Sequence, residues 1–121
     1  MATNLKPDIS RGTDYPLDYY HQIGGVQYDG DIEVFFTVKT PESDTSADDT
    51  TAIILKTVSG TNGYADLSLT PVETAYNQGT TTFITPGKYK YDIVVEEVLS
   101  GRQKMVEGSV KIDGSPTNRG L

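Results

Sequence analysis

The sequence predicts an all-β fold, an antiparallel β-sandwich of about seven strands. Three observations predict it. The run 88–97 alternates, with Tyr89, Tyr91, Ile93 and Val95 on one face and Lys88, Lys90, Asp92 and Glu96 on the other. Strand side chains point to opposite faces with period two, so this is a long, half-buried strand. The run 31–39 repeats the pattern, with Ile32, Val34, Phe36 and Val38 against Asp31, Glu33, Thr37 and Lys39; Phe35 breaks the parity. Turn residues recur between such runs at all-β spacing, and no segment supports an ordinary-length helix.

In chain order, residues 3–11 are mixed in polarity and offer Leu5 and Ile9 as strand residues. The run 15–23 puts Tyr15, Leu17, Tyr19, His21 and Ile23 on one face, with Pro16 near its start, where a missing N–H does least harm. Gly24-Gly25 and Asp29-Gly30 bracket the connection to the run 31–39. Residues 40–51 are polar, with Pro41, Asp44, Asp48 and Asp49, and read as a mobile surface loop. Ala52-Ile53-Ile54-Leu55-Lys56-Thr57-Val58 reads as a buried strand by its branched side chains and short length. Asn62-Gly63 suits a hairpin turn. Ala65, Leu67 and Leu69 share one side of the run 64–70. Pro71 then opens a segment fit for a single helical turn, since Pro is well placed at a first helical position. Ser100-Gly101-Arg102 closes a tight hairpin onto a last strand, 103–112. There Val106, Gly108, Val110 and Ile112 share parity, and Gly108 marks a bulge or a close backbone approach. Residues 1–113 read as one domain and 114–121 as a flexible tail.

A chain of 121 residues buries roughly two-thirds of its unfolded surface, enough to fold without staples. It has no Cys, so a disulfide framework and a thiolate metal site are excluded. Its longest apolar runs, Ala52-Ile53-Ile54-Leu55 and Ile93-Val94-Val95, are too short to span a bilayer, so no membrane partner is expected. The first residues lack a basic head followed by an apolar core, so no signal peptide is expected. Residues 1–60 hold 4 Lys/Arg against 10 Asp/Glu, and residues 61–121 hold 6 against 7. That acidity repels a phosphate backbone and disfavours nucleic acid as a partner.

The residues offer little for catalysis. His21 is the only His. It lies on the apolar parity of its run beside Tyr19 and Ile23, which suits a satisfied core histidine better than a general base. No Gly-x-Ser-x-Gly turn and no phosphate-binding glycine loop occur. Glu96 and Glu97 are strand neighbours facing opposite ways, so they cannot share a substrate. Asp44, Asp48 and Asp49 have the wrong spacing for a calcium loop. The expectation is no catalytic residue, no cofactor and no metal. Of the eight Tyr, Tyr20 breaks its strand parity, as Phe35 does. Those two are candidates for a docking surface, since large amphipathic rings favour interfaces.

The segment Gly87-x-Tyr89-x-Tyr91 carries more. In immunoglobulin-like sandwiches a Tyr near the start of a late strand ties its hydroxyl back to the preceding corner, two residues before a core Cys. Tyr89 fits that place, with Tyr91 standing where the Cys would be. Gly87, Tyr89 and Tyr91 are thus the expected structural corner of an immunoglobulin-like fold.

The order of the pieces carries a resemblance. Ile9-Ser10-Arg11-Gly12-Thr13-Asp14 precedes the first alternating run, and Phe36-Thr37-Val38-Lys39 ends the next. Then come Asp48-Asp49, Ala52-Ile53-Ile54-Leu55-Lys56 and Leu69-Thr70-Pro71-Val72-Glu73-Thr74. Pro86-Gly87-Lys88-Tyr89-Lys90-Tyr91-Asp92-Ile93 and Val106-Glu107-Gly108-Ser109-Val110-Lys111-Ile112 close the series. Over residues 9–112 this resembles the small immunoglobulin-like domain of tailed-phage and prophage structural proteins, and is similar to the N-terminal domain of phage baseplate upper proteins. The resemblance implies a non-enzymatic tail or baseplate adaptor, made in the bacterial cytoplasm and resident in the virion. Its partners would be other phage structural proteins, with a homo-oligomer expected either free or on the larger assembly. No C-terminal receptor-binding region of the family's kind is expected within these residues, so the expected role is an accessory part and not host recognition. The other reading is a small carbohydrate- or protein-binding β-sandwich module using the Tyr-rich acidic region.

Overall fold

The computed structural model describes residues 2–3, 6–40 and 52–114. Leu5, the acidic cluster Asp44, Asp48 and Asp49, and the tail 115–121 lie outside the described residues. The fold is all-β, with one short helix among the described residues. The strands are β1 Ala2–Thr3, β2 Asp8–Ser10, β3 Asp18–Tyr20, β4 Gln22–Ile23, β5 Val26–Gln27, β6 Ile32–Lys39, β7 Ile54–Gly60, β8 Tyr64–Asp66, β9 Gly87–Glu97 and β10 Gln103–Asp113. The helix α1 spans Pro71–Ala75.

The described residues form three sheets: β2-β10-β9-β6-β7, β1-β3-β8 and the ribbon β4-β5. The pairings are antiparallel except that of β2 with β10, where Ile9 lies beside Ile112 in parallel. This departs from the wholly antiparallel expectation. The described strands also exceed seven, because several are only two or three residues long.

Register explains the core. Val34 faces Val95 and Val58, and Phe36 faces Ile93 and Lys56. Directly opposed residues point to the same side, so Ile32, Val34, Phe36 and Val38 join Ile93, Val95, Val110 and Ile112 on one buried face. Tyr15, Leu17, Tyr19, Ala65, Leu67 and Leu69 belong to the same cluster. β7 is less buried than its branched composition suggested. It ends the sheet order, and Leu55, Lys56 and Val58 are only half-buried. The run 15–23 breaks up as well. Tyr15 bridges to Leu69, β3 pairs with β1 and β8, and β4 pairs with β5 alone.

The turns follow local chemistry. Asn62 and Gly63 take φ of 52° and 70°, the two left-handed residues a type I′ turn requires. Thr70 caps α1: its hydroxyl accepts from the Glu73 N–H, while the Glu73 carboxylate accepts from the Thr70 N–H, with Pro71 in the first turn. Tyr89 is buried, and its hydroxyl donates to the carbonyl of Thr85 at the Thr85-Pro86-Gly87 corner. Tyr91 is half-buried, with its ring 6.1 Å from that of Phe36. A Cβ at Gly108 would fall 2.7 Å from the Tyr91 ring. The glycine therefore marks a close approach and not a bulge, since the β9–β10 register is unbroken from Gln103 to Ile112.

Candidate interaction site

The backbone sets His21 between β3 and β4. Its N–H donates to the Gly63 carbonyl at 2.7 Å, and its own carbonyl accepts from the Tyr28 N–H at 2.9 Å. Glu97 ends β9, where its N–H donates to the Arg102 carbonyl at 2.8 Å and its carbonyl accepts from the Gly101 N–H at 2.7 Å. These bonds close the tight turn between β9 and β10. The side chains of His21 and Glu97 then meet in a buried contact, Nε2 to Oε2 at 2.7 Å.

The other carboxylate oxygen is equally engaged. Glu97 Oε1 accepts from Ser100 Oγ at 2.6 Å, from Arg102 Nε at 3.0 Å and from the Arg102 terminal nitrogen at 2.8 Å. The hydrogen bond from His21, then that from Ser100, then Arg102 hold the carboxyl down at about 2, against the opposing effect of burial. An ionised carboxylate only accepts, so His21 Nε2 is the donor. His21 Nδ1 is buried without a hydrogen-bond partner, and the Tyr28 ring packs edge-on against the imidazole at 5.3 Å.

The order of these groups decides their chemistry. A nucleophile relay places the imidazole between hydroxyl and carboxylate. Here the carboxylate lies between Ser100 and His21, so the Ser100 proton is directed at Glu97 and not at the imidazole. The cluster acts as a bracket joining the start of one hairpin to the tip of another. The two hairpins present apolar side chains to solvent. Ile23 is 41% exposed and Val26 69%; Val98 is 51% exposed and Leu99 86%. The Val98 N–H is held by the Asp31 carbonyl at 3.1 Å.

The expected docking residues lie elsewhere and apart. Tyr20 is on β3, exposed, with its ring 5.0 Å from that of Tyr64. The Tyr64 hydroxyl donates to Asp18 Oδ1 at 2.7 Å, and chiefly this bond pushes its pKa up to about 12. Phe35 is half-buried on β6 in the other sheet, opposite Val94 and Thr57. A further aromatic group joins Tyr76 and Phe83, stacked at 4.9 Å, with the Arg11 guanidinium 5.2 Å from the Phe83 ring centre. Tyr76 also borders an open cleft of about 280 Å³ with Ile53, Val72, Glu73 and Asn77. The Lys56–Glu73 ion pair, at 3.0 Å, stands beside it. Among the described residues, no group of three or more His, Asp or Glu is placed to hold a metal ion.

Sequence reasoning weighed Glu97 only beside Glu96 and missed its pairing with His21, although a signal existed. The face that carries Tyr89, Tyr91, Ile93 and Val95 continues to Glu97, a carboxylate on core parity. His21 lies on core parity in its own run. Two ionisable groups on buried faces call for each other, because an unpaired buried charge is costly. Comparison of the chain with family models, with curated proteins and with solved structures finds no match in any of the three.

Proposed function

We propose that this chain is a non-enzymatic structural protein of a tailed phage or prophage, an immunoglobulin-like adaptor or accessory part of the tail or baseplate. It works in the virion through contacts with other phage structural proteins. The observation that carries this reading is the group Ile23, Val26, Val98 and Leu99, exposed on two hairpins rooted in the buried His21–Glu97–Arg102 bracket. Single exposed apolar residues are ordinary, whereas several carried by two hairpins that are tied together at their base suit a contact surface. A bracket that already holds the hairpins lowers the ordering cost of binding. The phage-domain motifs along residues 9–112 supply the kind of partner. The test is co-sedimentation with isolated tails or baseplates of the same phage. The chain binds, and a Val26→Asp, Leu99→Asp double variant loses binding while its melting temperature is kept. Failure of the unaltered chain to associate with any tail or capsid component overturns the reading.

The second reading, a small carbohydrate-binding module, has one observation in its favour. The cleft beside Tyr76 combines an aromatic ring with the Asn77 amide and the Glu73 carboxylate, groups suited to a sugar's faces and hydroxyls. Glycan-array binding abolished by Tyr76→Ala would favour it.

A further inference from the structure

The last strand carries a bare edge. The Lys111 N–H donates to the Pro7 carbonyl at 2.8 Å, and the Asp113 carbonyl accepts from the Arg11 N–H at 2.9 Å. Odd-numbered residues of β10 therefore aim their backbone groups away from β9. Even-numbered ones face β9, as the Arg102 carbonyl does in accepting from Glu97. β2 pairs only with Lys111, Ile112 and Asp113. Gln103, Met105, Glu107 and Ser109 are left with outward N–H and C=O groups that no strand among the described residues pairs. Their side chains are exposed. Proteins commonly blunt such an edge with Pro, a bulge or several Lys. The stretch 103–109 has no Pro, a single Lys and an unbroken register.

We infer that this edge is the interface for a second copy of the chain, pairing antiparallel with its own β10 about a two-fold axis at Val106. The inference goes beyond the docking role proposed above and uses a different surface. The extent of the bare edge selects the register. Centred on Val106, Gln103 meets the partner's Ser109 and Met105 meets the partner's Glu107, so all four residues are paired. Centred on Met105, Ser109 would meet only the turn glycine, the partner's Gly101. Centred on Glu107, Gln103 would meet the partner's Lys111, which β2 already occupies.

The side chains agree with that register. On the core-side face, Val106 meets the partner's Val106, and Lys104 meets the partner's Gly108. Gly108 leaves room, and the Tyr91 ring that roofs it offers a surface for a lysine stem. No like charges are opposed. The negative charge concentrates in residues 1–60, whereas β10 belongs to the near-neutral half. The product is one continuous sheet with both β10 edges covered, an isologous closure that stops at two.

The chain has no Cys, so a single introduced thiol reports the register. Val106 would lie on the axis in a non-hydrogen-bonded pair with Cα atoms about 4.5 Å apart, within disulfide reach. Val106→Cys should cross-link to a dimer on mild oxidation. Lys104→Cys should not, since four residues of stagger separate its copies by roughly 13 Å. Met105→Pro removes an outward donor without touching the β9 ladder. It should weaken the dimer on the order of tenfold or more while leaving the melting profile of the monomer in place. Sedimentation equilibrium of the unaltered chain should show a monomer–dimer equilibrium. A strict monomer up to millimolar concentration overturns the inference. So does dimerisation unchanged by Met105→Pro, or cross-linking through Lys104→Cys as readily as through Val106→Cys. The Val26→Asp, Leu99→Asp variant should still dimerise. Failure of the unaltered chain to bind tails, with dimerisation intact, would therefore count against the docking role alone.

Discussion

His21 and Glu97, 76 positions apart in the chain, share a 2.7 Å hydrogen bond at the buried base of two hairpins. The Glu97 carboxyl is held at about 2 against an ordinary 4.5. Between those values the unfolded chain binds a proton that the folded chain refuses. Its contribution to stability is therefore complete above about pH 4.5 and drains away as pH falls toward 2. Glu97→Gln should lower the melting temperature near neutrality and flatten its fall between pH 5 and pH 2. Parallel melting curves for the two chains across that range would remove Glu97 as the source.

Tyr89→Phe should destabilise the chain by about 1 kcal/mol, the net worth of a typical intramolecular hydrogen bond. The figure is modest because Thr85, whose carbonyl the hydroxyl serves, is exposed. Water can replace the lost donor there. Denaturant unfolding with an unchanged slope and a lower midpoint is the expected readout. An unmoved midpoint would deny the corner hydrogen bond a part in stability.

Thr74 presents a stiffer case. Its side chain is fully buried, and Oγ1 accepts from the N–H groups of Gly12 and Thr13 at 3.1 and 3.2 Å. The Thr13 carbonyl lies 2.8 Å away as an acceptor for its proton. Thr74→Val keeps the shape and leaves the Gly12 N–H unmet, while the Thr13 N–H keeps the Ser10 carbonyl at 3.2 Å, at a cost of roughly 1–3 kcal/mol. Thr74→Ser keeps the hydroxyl and should lose less than half as much. Equal losses in the two variants would assign the effect to packing instead.

These positions show where local pattern was sufficient. Ile32, Val34, Phe36 and Val38 are all buried, because alternation reports which face meets the core. Asn62-Gly63 forms its turn because both residues tolerate positive φ. Alternation does not report the partner. Tyr15, Leu17, Tyr19 and His21 are buried in turn, yet β3 and β4 belong to different sheets. Ile23, on the same parity, is exposed because β4 pairs only with the two-residue β5. The Thr74 hydroxyl serves residues 61 and 62 positions away, and the His21–Glu97 bond is equally non-local. The Thr74 contact leaves no spacing that a linear reading detects, and parity marks His21 and Glu97 only as core-facing, without a spacing that joins them.

Gly108 and Tyr91 set up the last prediction. The two face each other across the β9–β10 ladder, and a Cβ on Gly108 would come 2.7 Å from the Tyr91 ring. Replacing glycine by alanine in an unstrained strand favours folding by about 0.4–1 kcal/mol through the unfolded chain's entropy. The ring reverses that sign. To make room, Tyr91 must leave its place against Phe36, and overpacking of this kind costs roughly 1–3 kcal/mol. Gly108→Ala should therefore lower the unfolding midpoint. In a Tyr91→Ala background the obstruction is gone, and the same substitution should become neutral or stabilising. The difference between the two backgrounds is the coupling energy of the pair. Equal effects in both would mean that the strand tolerates a methyl beneath the ring, and the close approach would not account for glycine at this position.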